Sequence, residues 1–182
     1  MQLRPGFAIT LNALALYALS GLLAAAFVWQ FALDELPCPL CLLQRVAFTA
    51  LAIGPVLNIV RGPQPRNYGL VIIAAVFGAI VSGRQVLLHI VPGDPGFGSP
   101  VLGLHLYTWA FVVFAAAIVA SAVMLMLPAQ FEGEKRDARL SWFAQGAVYL
   151  IITLTLLNAF SAFAQCGLQS CPGDPVRYEL FS

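Results

Sequence analysis

Four cysteines occur in two close pairs, Cys38 with Cys41 and Cys166 with Cys171. Thiols this close can exchange with another disulfide, hold a metal as thiolates, or staple a loop. The first pair lies in LPCPLCLLQR, Leu36 to Arg45, where a proline precedes each cysteine and Arg45 follows Cys41 by four residues. A helix starting there puts Cys41 in its first turn, where unpaired N–H groups and the helix dipole stabilise a thiolate. Arg45 then sits one turn further along the same face and adds a second positive influence. A metal site needs no such arginine, and a staple across the short Cys166–Cys171 loop yields little loop entropy. The pattern favours a dithiol relay, with a metal site and structural staples as the alternatives.

The elements that must position these thiols are apolar helices. Of the 182 residues, 60% are hydrophobic and only 9% are charged, and the mean hydropathy is +0.87. Soluble domains carry about 25% charged residues, so this inventory builds a protein whose surface is shared with a lipid bilayer. The formal net charge of +1 leaves no electrostatic footprint for nucleic acid. Five stretches are long enough to cross the hydrocarbon core: Phe7–Leu33, Leu40–Val60, Tyr68–Val91, Leu104–Leu127 and Trp142–Ala164. In lipid each must satisfy its own backbone polar groups, which makes each a helix. RGPQPRN (61–67), PGDPGFGSP (92–100) and PAQFEGEKRDAR (128–139) carry the breakers between them. The first span resembles a signal peptide in Arg4 and in the small residues Ala24–Ala26. Its apolar run exceeds a signal core, so a retained helix is expected. PGDP recurs at 92–95 and 172–175, read as two similar turns and not as a repeat. The sequence thus predicts an all-α integral membrane protein with a single transmembrane domain.

Basic residues orient it. With the amino terminus in the cytoplasm, Arg4, Arg61, Arg66, Lys135, Arg136 and Arg139 lie inside, against Arg177 alone outside. Tyr68 and Trp142 then mark inner edges, and Trp29, Tyr107 and Trp109 outer ones. An odd number of spans puts both cysteine pairs on the outer face, which in a bacterium is the periplasm, where disulfides persist.

Two arginines fall within spans, Arg45 and Arg84, both in the outer half, and no Asp or Glu lies in any span to neutralise them. Snorkelling to lipid phosphates is one explanation. An anionic or polar ligand held between them is the other, and a quinone fits, because its tail needs lipid while its ring oxygens need donors. Gln44, Gln85 and His89 are candidate polar contacts; an interfacial role is the alternative for His89.

PCPLCLLQR resembles the first-loop motif of the disulfide bond formation protein B (DsbB) family, a CxxC followed four residues later by arginine. GRQVLLHIVP (83–92) is similar to the end of that family's third helix, and VLGLHLYTWAFVVF (101–114) to the start of its fourth. The resemblance covers about residues 1–127, leaving a loop and additional fifth helix (128–164) and a cysteine-containing tail (165–182). It implies a four-helix transmembrane bundle in the bacterial inner membrane. Such a bundle takes electrons from a periplasmic DsbA-type thiol oxidase and passes them to ubiquinone or menaquinone. By position, Cys38 and Cys41 match the quinone-coupled pair, Cys41 the cysteine that engages the ring, Arg45 the arginine beside it, and Arg84 an arginine near the end of the third helix. The family carries its second pair in the second periplasmic loop. Here PGDPGFGSP has no cysteine, and Cys166 and Cys171 follow the fifth helix instead. The expected reaction runs from the partner to Cys166–Cys171, then to Cys38–Cys41, then to quinone. The rival readings are a vitamin-K-epoxide-reductase-like enzyme, a reductase importing electrons, a metal-binding membrane protein and a structural scaffold.

Overall fold

A computed structural model describes residues 5–132, 140–173 and 175–181. Five helices carry the chain: α1 (Pro5–Ala32), α2 (Pro39–Arg61), α3 (Pro65–Leu88), α4 (Leu106–Leu125) and α5 (Trp142–Cys166). All five are long and apolar enough to cross a membrane, and the predicted spans agree with them to within about three residues at each end. Arg4, Lys135, Arg136 and Arg139, four of the six residues behind the predicted orientation, lie outside the described residues, as does Asp174 of the second PGDP.

Local chemistry sets the helix starts. Prolines occupy the first turns of α2 and α3, where the missing N–H costs no intrahelical bond. Ser141 caps α5 by accepting from the Ala144 N–H at 3.3 Å. At the other end α5 stops at Gly167, whose φ of 61° is a left-handed conformation that side chains disfavour.

In packing, α3 lies between α2 and α4, while α1 lies between α2 and α5. Small residues permit the closest approaches. A Cβ on Gly54 would come within 2.4 Å of the Asn67 carbonyl oxygen, and one on Gly78 within 2.4 Å of the Phe114 ring. Phe114, fully buried, stacks on Phe48 at 4.3 Å and joins α4 to α2. Large apolar side chains such as Ile73, Ile80 and Leu87 are about two-thirds exposed along α3. Such a face suits a lipid solvent, which has no cost for apolar contact.

The up-and-down course brings the start of α2 and the end of α5 to one end of the bundle, so both cysteine pairs lie at that end. Loops cover it. Glu35 accepts from the Ser99 N–H at 3.1 Å and from the Ser99 hydroxyl, tying the α1–α2 connection to the α3–α4 loop. Trp109 Nε1 donates to the Val101 carbonyl at 2.9 Å and holds the rest of that loop over α4.

Candidate functional site: a dithiol beside an apolar cleft

Cys38 is the N-cap of α2, and its sulfur accepts the Cys41 backbone N–H at 3.2 Å. The helix terminus therefore acts on Cys38, whereas the sequence points it at Cys41. The Cys41 thiol beside it, together with the N–H groups of Cys41 and Leu40, pulls the Cys38 pKa down to about 7 against the opposing effect of burial. Both sulfurs are free thiols. Buried Gln85 reaches across from α3, its Nε2 standing 3.4 Å from Cys38 Sγ and 3.6 Å from Cys41 Sγ. Its Oε1 accepts from Gln44 Nε2 at 2.7 Å, which fixes the amide's orientation toward the two sulfurs.

Cys41, Gln44 and Arg45 line a cleft of about 140 Å³ between α1, α2 and α4, walled by Leu22, Trp29, Phe97 and Tyr107. A larger groove of about 580 Å³ follows between α1 and α4, lined by small and apolar residues including Ala15, Ala18, Ala117 and Ala120. Leu22 and Val113 line both, so the cleft and the apolar groove adjoin. Trp29 Nε1 is buried without a hydrogen-bond partner. A buried donor left unpaired costs about 1–3 kcal/mol, and a carbonyl oxygen in the cleft would offset that. A guanidinium, an unsatisfied N–H and an apolar groove together fit a molecule with a polar ring and a long apolar tail.

Arg45 is held on the cleft wall. Its Nη1 donates to Gln30 Oε1 at 2.7 Å and its Nη2 to the Ala26 carbonyl at 3.0 Å, with the Phe27 ring 5.6 Å from the guanidinium carbon. Arg84, by contrast, is exposed on α3 and does not line the cleft. His89 pairs with Asp94 at 3.0 Å and stacks on Tyr107 at 5.6 Å, touching the cleft only through that ring. The Gly96 N–H, followed by His89, holds the Asp94 carboxyl below the usual carboxylate range.

Cys166 and Cys171 form a disulfide with a Cα–Cα distance of 4.7 Å. The neighbouring Gln165, fully buried, donates to the Pro37 carbonyl at 2.7 Å. Residues adjacent to each pair are thus in direct contact although 128 positions separate them. Gln30, Gln165 and Tyr178 were not singled out from the sequence. An amide inside an apolar span is a usable signal for Gln30; Gln165, one residue past the fifth predicted span, and Tyr178 offer none.

The fold and site define a multi-pass membrane protein with a dithiol at one end of a helical bundle, set between a second cysteine pair and an apolar cleft. The model of the family "Disulfide bond formation protein DsbB" matches residues 9–99. Disulfide bond formation protein B of Marinobacter nauticus is 42% identical over 79 residues, 41% of this chain and 47% of that protein. The protein of that name from Nitrosomonas eutropha is 39% identical over 75 residues, 39% of this chain and 46% of its own length. The one from Xanthomonas axonopodis pv. citri is 36% identical over 115 residues, 59% and 67% respectively. The chain belongs to the DsbB family. It spans about half the length of the first two relatives; α5 and its tail lie beyond the stretch that the family model matches. No solved structure matches the chain.

Proposed function

We propose that this protein is a thiol:quinone oxidoreductase that reoxidises a periplasmic DsbA-type thiol oxidase, with both cysteine pairs and the carboxyl terminus on the periplasmic side. The observation that carries this reading is the position of the dithiol: Cys41 lines the apolar cleft, while Pro37, beside Cys38, is bonded to the residue preceding Cys166.

In this reading the partner's dithiol gives up two electrons and two protons as its thiolate attacks the Cys166–Cys171 disulfide. A mixed disulfide forms, then resolves into the partner's disulfide and two tail thiols. The tail dithiol next exchanges with an oxidised Cys38–Cys41 pair, restoring Cys166–Cys171 and leaving Cys38 and Cys41 as thiols. That end state is the pairing seen here, with the tail bonded and the first pair free. Cys38, capped by α2, is the better leaving group of its pair, since a lower thiol pKa speeds departure. Gln85 holds both sulfurs in place, and Arg45 supplies positive charge on the cleft wall beside Cys41. Arg45, Gln44 and Trp29 are the residues that would hold the quinone ring, with the α1–α4 groove for its tail. A bound ubiquinone or menaquinone supplies a two-electron, two-proton acceptor.

A four-thiolate metal site has less support, because two of its sulfurs are joined in the disulfide. The test is quinone reduction by the purified protein supplied with a reduced DsbA-type oxidase, compared with Cys41→Ser. Turnover that disappears with Cys41 is expected. Absence of turnover with every quinone and partner tried would overturn the reading.

A further inference from the structure

Gln30 makes three side-chain hydrogen bonds, and its partners come from three parts of the chain. Its Nε2 donates to Ser161 Oγ of α5 and to the Tyr178 hydroxyl of the tail, each at 2.8 Å. Its Oε1 accepts from Arg45 Nη1 at 2.7 Å. The two hydroxyl oxygens take up the amide hydrogens, so the carbonyl oxygen is left to face the guanidinium. The side chain is 2% exposed, so no water competes for these bonds.

We propose that Gln30 and Tyr178 are positioning residues, through which the docked tail fixes Arg45 at the cleft beside Cys41. An arginine stem is flexible, and its charge stabilises a thiolate or a developing oxyanion only when held at close range. Gln30, Arg45 and Cys41 all lie within the family-matched residues 9–99, whereas Ser161 and Tyr178 come from α5 and the tail. The α5–tail segment therefore does more than carry a disulfide: it completes the support of the arginine. This inference rests on the thiol chemistry proposed above.

The ionisable side chains around Cys41 are Cys38 at the N-cap of α2, Glu35 of the preceding connection, Tyr107 of α4 and Tyr178 of the tail; Arg45 is its neighbouring fixed charge, and α3 presents the neutral Gln85. In a Cys38→Ala background with the tail disulfide intact, Cys41 is the single free thiol. Its alkylation by iodoacetamide is followed against pH in detergent, without quinone. Tyr178→Phe removes one hydroxyl and is expected to slow alkylation at pH 7 about threefold and move the profile to higher pH. Gln30→Leu is expected to slow it about tenfold. In an Arg45→Ala background, Tyr178→Phe is expected to change nothing further. An unchanged profile in Tyr178→Phe, or equal slowing with and without Arg45, overturns the proposal. Failure of the thiol:quinone reading registers separately, as absent turnover in the wild-type protein.

Discussion

The two ends of this bundle are both polar, yet they are built on opposite terms. At the end away from the cysteines, Asn12, Asn58, Asn67, Tyr68 and Gln130 form a closed network. Asn58 Oδ1 accepts from Asn67 Nδ2 at 2.8 Å, Asn58 Nδ2 donates to Asn12 at 3.1 Å, and Tyr68 donates to Gln130 at 2.8 Å. Among the described residues none of its members has a buried polar atom without a partner. It holds no charged side chain and ties α1, α2, α3 and the turn after α4 together. The cysteine end holds a guanidinium, two thiols and two unpaired buried atoms, Trp29 Nε1 and Gln165 Oε1. A satisfied neutral network rigidifies, whereas open valences and an unneutralised charge cost stability and are retained for what binds or reacts there.

That contrast can be tested by separating stability from turnover. Cys41→Ser has the largest expected effect: quinone reduction falls by at least about 10³-fold, with the thermal midpoint in detergent little changed. Asn58→Leu is expected to do the reverse. It strands its three hydrogen-bond partners and lowers stability by about 2–4 kcal/mol; turnover per folded molecule, measured below the transition, stays at the wild-type level. Matching losses of turnover and stability in this variant would erase the distinction between the two ends. Gln85→Leu removes the amide that touches both sulfurs and is expected to slow turnover about tenfold, read by stopped-flow oxidation of the tail dithiol.

Smaller effects sharpen the picture. Because the Cys38 pKa is lowered to about 7, its thiolate predominates above that pH and is lost as pH falls through it. Alkylation of Cys38, followed by mass spectrometry, should therefore rise through pH 7. In Cys41→Ala, which removes the largest cause of the lowering, the midpoint should move up toward the ordinary thiol value. Arg84→Ala is expected to change quinone affinity by less than about twofold, since an exposed charge outside the cleft contributes little. A large loss would bring Arg84 into the site despite its position.

The five spans, their ends and the CxxC at a helix start were legible because lipid leaves an apolar chain almost no alternative to helices of fixed length. Pro39, Pro65 and Gly167 marked boundaries by steric rules that hold within a few residues of sequence. The grouping of polar residues was only half legible. Gln44 and Arg45 follow Cys41 by three and four residues on the same helix, so their shared face was a matter of helical period. From the sequence Gln85 is a candidate polar contact for quinone, and the fold sets it against the two sulfurs. Arg84, its immediate neighbour, points elsewhere, because adjacent helical residues diverge by about 100°.

By itself, then, the sequence determined a multi-pass helical protein with a thiol pair at one helix start and a second pair returned to the same end, since both follow from composition, length and parity. Tertiary structure alone decided which sulfur the helix caps, which arginine faces the cleft and how the tail reaches it through Gln165 and Gln30. Those outcomes depend on how helices rotate against one another, which is set by side-chain packing across contacts up to 148 residues apart and leaves no local periodic trace.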